Sequence, residues 1–266
     1  MANVLAPEPG AIADTGWRRL TCSHDGRPAE RAMIGLITLA TDPVIEDEMR
    51  RYLAVPGVGL YANRIPMATR VDLSTLGAMA DEIAATAALI LPNDDLDVVA
   101  YGCTSGAMTI GPERVAELVR QAKPGAAVTN PISAGLTGLK ALGARRIAVI
   151  TPYIDEINAP LAAFIEAEGF DIVACASFKQ ETDPEICRVT PVSIGKAALE
   201  VGAAPDAEAL FISCTGMRAS GIIGELEREL GKPVVASNQA LSWHALRLAG
   251  LDDRVEGYGK LMTLPL

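Results

Sequence analysis

Two cysteines are the residues of this sequence best suited to chemistry. Cys103 and Cys214 each come directly after an apolar run typical of a buried strand, and each is followed by Thr. In open parallel α/β sheets, the ligand crevice lies beyond the carboxyl ends of the strands. An ionised thiol there can move a proton or attack carbon. A single buried cysteine is more often a core residue, but a pair at equivalent strand ends favours catalysis.

Small polar residues follow both cysteines and are suited to hold an anion. Thr104 and Ser105 supply hydroxyl groups after Cys103, and Thr215 supplies one after Cys214. Free N–H groups at the start of a following helix can also bind a carboxylate. The same residues are common helix caps, and the two roles are compatible because both use those N–H groups. We therefore predict a substrate carboxylate beside these loops.

Two thiols beside a carboxylate indicate proton or addition chemistry at the neighbouring carbon. One thiol takes a proton from one face of a planar carbon and the other returns a proton to the opposite face. Fixed donors stabilise the enediolate that forms, by about 10²–10³-fold each. Such chemistry requires neither a metal nor an organic cofactor, and we predict none. A small carboxylate is the predicted partner.

The elements that position these residues follow from hydrophobic patterning. From residue 33 onward, strand-like apolar runs alternate with amphipathic helix-like runs, which predicts right-handed βαβ units and parallel sheets. The predicted strands are residues 33–39, 57–63, 98–102, 126–129, 147–151, 172–177, 209–213 and 233–236. The predicted helices include residues 73–90, 112–121, 158–168, 221–230 and 239–248.

An internal repeat indicates that the chain consists of two similar halves. Four segments recur in the same order: 34–37 as 147–150, 99–104 as 211–215, 128–131 as 236–239, and 142–143 as 249–250. We therefore predict an α/β fold of two pseudo-symmetric, flavodoxin-like parallel-sheet domains that face each other across a cleft. The predicted limits are an N-terminal extension (1–32), a first half (33–143), a second half (144–236), and a C-terminal helix and tail (237–266) that pack back on the first half.

Composition excludes several classes of function. The formal net charge is -10 and no Lys/Arg stripe is present, so a nucleic-acid partner is not expected. No apolar run reaches the roughly 18 residues of a membrane helix, and the N-terminus has no signal-peptide pattern, so we predict a cytoplasmic protein. Five cysteines without a CxxC pair and two histidines favour neither a disulfide framework nor a zinc site. The sequence is compatible with a homo-oligomer.

Several motifs in this order resemble the aspartate/glutamate racemase superfamily. The similarity covers residues 33 to about 255 and is strongest to the maleate cis-trans isomerase and arylmalonate decarboxylase branch. Residues 237–250 are especially similar to the ectoine-utilisation protein A group. The motifs that carry the resemblance are Leu39-Ala40-Thr41-Asp42 with Glu46 and Glu48, Tyr101-Gly102-Cys103-Thr104-Ser105-Gly106, Thr151-Pro152-Tyr153, Cys214-Thr215, and Ser237-Asn238-Gln239-Ala240-Leu241.

The resemblance implies roles for the matching residues. Arylmalonate decarboxylase holds a carboxylate with residues that match Thr104, Ser105 and Tyr153, but it has a glycine at the position of Cys103. Maleate isomerase uses both cysteines, which implies that Cys103 is the nucleophile and Cys214 the proton carrier. This chain differs from the maleate isomerases in having Thr-Ser after the first cysteine.

Three further residues are candidate substrate contacts. Thr41 and Asp42 occupy the first loop, where the maleate isomerases have an Asn, and Asp42 is placed to reach the cleft. Asn238, at the start of the last helix, is either a substrate contact or only a helix cap. Glu46 and Glu48 are interpreted as acidic residues at a helix N-terminus.

The sequence thus favours a cofactor-independent isomerase or racemase that acts at the carbon next to the carboxylate of a small (di)carboxylic or amino acid. The nearest alternative is an arylmalonate-type decarboxylase. A third reading is a non-catalytic ligand-binding protein in ectoine utilisation, although binding alone would not require both cysteines.

Overall fold

Eight parallel strands form two four-stranded sheets that have the same strand order. The computed structural model describes residue 17, residues 20–24 and residues 26–266, so residues 1–16, 18, 19 and 25 of the predicted N-terminal extension lie outside the described residues. The order is β2-β1-β3-β4 in the first sheet and β6-β5-β7-β8 in the second. The strands are β1 Ala32–Leu39, β2 Val58–Ile65, β3 Val98–Gly102, β4 Ala127–Thr129, β5 Arg146–Tyr153, β6 Asp171–Gln180, β7 Ala209–Ile212 and β8 Val234–Ala236.

These sheets confirm the predicted fold class of two pseudo-symmetric parallel-sheet domains. Every residue of β1, β3 and β7 is buried. Strands that are covered on both faces consist of continuous Val, Ile, Leu and Ala runs rather than alternating patterns, which is why these runs were recognisable in the sequence. Each of the eight predicted strands overlaps one strand of the structure.

The helices are more numerous than the sequence pattern predicts. The predicted helix 73–90 is two helices, and several short helices were not predicted. The helices are α1 Ile45–Tyr52, α2 Leu73–Ala78, α3 Ala80–Ala88, α4 Thr104–Ile110, α5 Pro112–Ala122, α6 Pro131–Ala141, α7 Asp155–Ala167, α8 Asp183–Arg188, α9 Pro191–Gly202, α10 Ile223–Leu230 and α11 Ser237–Leu248, with a 3-10 helix at Lys260–Thr263.

The two halves exchange their last helices. Helix α6 follows β4 of the first sheet but packs against β8 and α11, and an added Cβ at Gly135 would lie 2.8 Å from the Phe211 ring of β7. Helix α11 follows β8 of the second sheet but packs against α1, β3 and β4 of the first. The tail is tied to α11, where the Trp243 indole N–H donates to the Leu264 carbonyl at 2.8 Å. This exchange joins the halves through buried surface; the predicted domain limits stay a prediction.

Candidate active site

Both strand-end cysteines line one cavity between the two halves. The side chains of Cys103 and Cys214 are almost completely buried at the wall of this cavity. Apolar residues close much of its surface. The complete lining is Leu39, Met67, Val71, Leu76, Cys103, Thr104, Ser105, Tyr153, Asp183, Ile186, Cys214 and Thr215. Six of the nine residues predicted from the sequence therefore meet here, while Thr41, Asp42 and Asn238 do not line the cavity.

Cys103 is the residue that starts helix α4. Its backbone is extended (φ −143°), and its Sγ accepts a hydrogen bond from the Gly106 N–H at 3.2 Å. Gly106 permits this approach, because an added Cβ would lie only 2.9 Å from that sulfur. Burial raises the pKa of the Cys103 thiol to about 12, and the Gly106 N–H opposes this shift by favouring the thiolate. The predicted helix-start donor is present, but burial dominates.

Cys214 has a different local structure. Its φ of 126° lies in a region that residues with a side chain rarely adopt, at a cost of about 1–3 kcal/mol. Its N–H donates to the Ser237 hydroxyl oxygen at 2.9 Å, which helps to hold this conformation. Burial raises the pKa of the Cys214 thiol well above its ordinary value, whereas the Tyr153 hydroxyl and the Gly216 N–H lower it.

Tyr153 supplies a buried hydroxyl group that has no hydrogen-bond partner among the described residues. It ends β5, and its backbone carbonyl accepts hydrogen bonds from Asn158 at 2.7 Å and from Ser177 at 2.5 Å. The Cys214 thiol and the Ser105 hydroxyl nevertheless lie near enough to its Oη to affect its pKa, which burial raises. A buried hydroxyl that lacks a partner is unfavourable, so this donor is available to a ligand.

Ser237 links the two cysteine loops and was not recognised as a site residue from the sequence. Its Oγ accepts from the Thr104 hydroxyl at 3.1 Å as well as from the Cys214 N–H. The hydroxyl hydrogen of Thr104 is therefore donated to Ser237. The hydrogen-bond donors that stay available for a substrate carboxylate are the Ser105 hydroxyl, the Tyr153 hydroxyl and N–H groups of α4. The sequence signals for Ser237 were its position directly after the last strand and its place in the motif 237–241 that carries the family resemblance.

Asn238 does not line the cavity but supports the loop that forms its wall. Its Nδ2 donates to the Thr215 carbonyl at 2.8 Å and to Glu48 Oε2 at 2.9 Å. The other Glu48 oxygen accepts from the Ser220 N–H at 2.9 Å. Glu48 lies in the first turn of α1, as predicted, and it is also a buried bridge between α1 and the loop after Cys214. Its burial raises its pKa.

Thr41 and Asp42 stabilise the first loop rather than the cavity wall. Asp42 accepts from the N–H groups of Val44 at 2.6 Å and Ile45 at 3.1 Å, and burial raises its pKa. The Thr41 hydroxyl donates to Asp183 Oδ2. Asp183 itself lines the cavity. It was not recognised from the sequence, because an Asp before Pro is typical of a helix start.

No helix in residues 26–266 is long and apolar enough to cross a membrane. Within the part of the chain that the structure describes, no three His, Cys, Asp or Glu side chains are grouped so that they could hold a metal ion.

The fold and the cavity together define a class: duplicated parallel α/β proteins with a cysteine after the third strand of each half and both thiols in one cavity. Comparison with known proteins agrees with this class. Residues 52–262 match the family model described as arylmalonate decarboxylase, so the chain belongs to the arylmalonate decarboxylase family.

Relatives of this chain include enzymes with two different activities. It is 42% identical over 137 residues to the arylmalonate decarboxylase of Bordetella bronchiseptica, covering 50% of this chain and 56% of that enzyme, so the match spans just over half of that relative. It is 28% identical over 242 residues to the maleate isomerase of Nocardia farcinica, covering 86% of this chain and 94% of the isomerase. The superfamily branch recognised in the sequence is thereby confirmed.

A solved structure of the Nocardia farcinica enzyme has the same fold. It is a cysteine-to-serine variant of maleate cis-trans isomerase with a covalently bound succinylcysteine intermediate. The TM-score is 0.78 at 25% identity, and the similarity covers 87% of this chain and 98% of that one. In that relative, a reaction intermediate is covalently bound as succinylcysteine.

Proposed function

We propose that this chain is a cofactor-independent isomerase or racemase that acts at the carbon next to the carboxylate of a small dicarboxylic or amino acid. The observation that carries the proposal is the meeting of Cys103 and Cys214, from equivalent strand ends, in one cavity with Tyr153. A binding protein needs the hydroxyl groups but has no use for two buried thiols.

The carboxylate of the substrate lies at the donor end of the cavity. The Ser105 and Tyr153 hydroxyls and the first N–H groups of α4 donate to it. One cysteine, as its thiolate, takes the proton from the neighbouring carbon, and the C–H electron pair moves onto the carboxylate as an enediolate. The S–H of the other cysteine then protonates the opposite face and becomes the thiolate. The net result is inversion at that carbon.

An unsaturated diacid would follow a related course. The Cys103 thiolate adds to one carbon of the double bond, and the electron pair again moves onto a carboxylate. Rotation about the resulting single bond, followed by loss of the thiolate, re-forms the double bond in the other geometry. The succinylcysteine intermediate of the Nocardia isomerase supports this variant for a relative.

Decarboxylation is the second candidate, and it is favoured by the family model and the Bordetella match. In that reaction the C–C bond to one carboxylate breaks and CO2 leaves. The electron pair of that bond moves onto the remaining carboxylate as an enediolate, and one thiol then protonates the carbon. Cys214 alone could do this, so a decarboxylase would tolerate change at Cys103. The presence of both thiols favours the isomerase or racemase.

The setting of the reaction is also a proposal. Similarity of residues 237–250 to the ectoine-utilisation protein A group supports a role in ectoine breakdown, in the cytoplasm, on a small carboxylate. A homo-oligomer is compatible with this role, and neither a membrane nor a nucleic acid is required.

The test is solvent deuterium exchange. The purified protein is incubated in D2O with maleate, aspartate and glutamate enantiomers, ectoine derivatives and arylmalonates, and each substrate is followed by NMR and chiral chromatography. We expect deuterium at the carbon next to a carboxylate together with inversion or isomerisation, and neither with the Cys103→Ser/Cys214→Ser double variant. Loss of CO2 with one deuterium incorporated would select the decarboxylase, and turnover that survives in the double variant would refute both candidates.

A further inference from the structure

The geometry points to Asp183 as the residue that determines substrate class. We propose that it selects a substrate whose second polar group is a hydrogen-bond donor or a cation, such as an ammonium or amidinium group, over one whose second polar group is a carboxylate. This inference rests on the proposed function and narrows it to amino or amidino carboxylic acids.

Asp183 is a buried carboxyl group in the wall of the reaction cavity. It is the first residue of α8, it is 6% exposed, and it lines the same cavity as Cys103 and Cys214. The Thr41 hydroxyl donates to its Oδ2 and so fixes the side chain. No described residue donates a hydrogen bond to its Oδ1. One carboxyl oxygen is therefore held by the protein while the other is left for a ligand.

The charges around the cavity are negative rather than positive. Among the described residues that form its wall, none is Lys, Arg or His. Asp183 and the buried Asp42 behind it raise the pKa of the Cys103 thiol, and Asp183 also raises that of Cys214, so the charge of Asp183 acts on both sulfurs. A second substrate carboxylate near Asp183 would meet a like charge in a region with no compensating cation, which is a strongly unfavourable arrangement.

The wall of the cavity therefore offers both kinds of group that a zwitterion requires. Tyr153 Oη and the Ser105 hydroxyl are donors suited to a carboxylate. Asp183 Oδ1 is an acceptor suited to an N–H group. Burial raises the pKa of Asp183, and a bound ammonium would lower it again, because an opposite charge favours the ionised carboxyl. Binding of an amino acid should therefore leave fewer protons on Asp183 than binding of a diacid, because a second carboxylate would raise the same pKa.

The test uses two probes that differ in one group. In 2-aminobutyrate the central carbon carries an ammonium, a carboxylate and an ethyl group, and in ethylmalonate a second carboxylate replaces the ammonium. Binding is measured by calorimetry in buffers of different ionisation enthalpy, and exchange of the central C–H by NMR in D2O. The variants are Asp183→Asn, which keeps the acceptor for Thr41, and Asp155→Asn as a control at an exposed acid of the same half.

We expect the wild-type protein to prefer 2-aminobutyrate by about tenfold or more, the size of one pKa unit of charge pairing, and to take up fewer protons on binding it than on binding ethylmalonate. Asp183→Asn should reduce that preference at least tenfold and abolish the difference in proton uptake, while Asp155→Asn leaves both unchanged. Equal binding of the probes by the wild type, equal proton uptake with the two probes, or an unchanged preference in Asp183→Asn would overturn the inference.

The binding and exchange measurements separate this inference from the proposed function. Selective binding of 2-aminobutyrate without exchange of any substrate would refute the proposed catalysis and leave the selectivity of Asp183 standing. Exchange of both probes at equal rates would refute the selectivity and leave the catalysis standing.

Discussion

The two cysteine loops occupy equivalent places in the two sheets but are built differently. Cys103 has an ordinary extended backbone and directly starts a helix, so the N–H of Gly106 in its own loop favours its thiolate. Cys214 has a strained backbone, and its position depends on Ser237 from outside its loop. Duplication of the sheet thus accounts for where the thiols lie, whereas the loops make them unequal. We infer that Cys103 ionises more readily and that Cys214 serves mainly as the proton donor.

The largest effect should come from replacing either thiol. Cys103→Ser and Cys214→Ser should each reduce turnover by about 10³-fold or more, because Ser is too weak an acid or base to substitute. In a racemase, Cys103→Ser should retain stereospecific exchange on the face served by Cys214. In a covalent isomerase it should abolish every step. Chiral analysis and NMR on each variant measure both outcomes, and full turnover in both variants would eliminate the two-thiol mechanism.

A smaller loss should follow removal of the Tyr153 hydroxyl. Tyr153→Phe should lower kcat/KM by about 10²-fold, because one preorganised donor to the enediolate is lost. Its thermal stability should be equal to or above that of the wild type, since the hydroxyl has no hydrogen-bond partner in the folded protein. Tyr61→Phe, at a partly exposed tyrosine of β2, is the control. An active Tyr153→Phe enzyme would remove Tyr153 from the carboxylate site.

The difference between the cysteines can be measured by alkylation against pH. At a pH far below the pKa of a thiol, the fraction present as thiolate increases about tenfold for each pH unit. With Cys103 at a pKa of about 12, its alkylation rate should rise through pH 7–10 without a plateau. Cys103 in the Cys214→Ser variant should react faster than Cys214 in the Cys103→Ser variant at every pH. If Cys214 reacted faster than Cys103, Cys214 would be the cysteine that ionises more readily and Cys103 the proton donor, which would contradict our assignment.

The smallest effect concerns stability, through the buried acids beside the first loop. Burial raises the pKa of Asp42 in the folded protein above its ordinary value of 3.8. The contribution of Asp42 to the free energy of unfolding is therefore fully present below pH 3.8, where the carboxyl is protonated in both states, and is lost as pH rises through the raised pKa. Asp42→Asn keeps an acceptor for the start of α1 and removes this loss. Its melting temperature should exceed that of the wild type at pH 8, by an amount equivalent to less than about 2 kcal/mol, and the gain should shrink toward pH 4. The exposed Asp47→Asn is the control; a gain that grows toward acid pH would contradict this account.

The sheets were predictable because their signal is local. Runs such as that of β1 are apolar throughout, and a covered parallel strand requires this of its own residues. The packing of α6 against the second half was not predictable, because nothing within residues 131–141 shows that Gly135 faces Phe211 of the other half. Helix packing of this kind is a property of two distant segments together.

The site was predictable where the residue type itself implies chemistry. Cys103 and Cys214 were recognised because a pair of thiols at equivalent strand ends suggests chemistry that one buried cysteine does not. Asp183 and Glu48 were not recognised, because acids near helix starts are common on protein surfaces and burial is what distinguishes these two. Burial of Glu48 depends on the packing of α1 against α11, which the local sequence does not reveal.

The most direct test of the central claim is alkylation with a small halo-acid such as iodoacetate. Cys22 and Cys175, which are exposed, are first replaced by Ser. If Cys103 and Cys214 line one cavity, a single carboxymethyl group on either should exclude the second and abolish turnover, and peptide mass mapping should find one group per chain divided between the two positions. Full modification of both cysteines in the same folded molecule would show that they do not share a cavity, and would contradict the account.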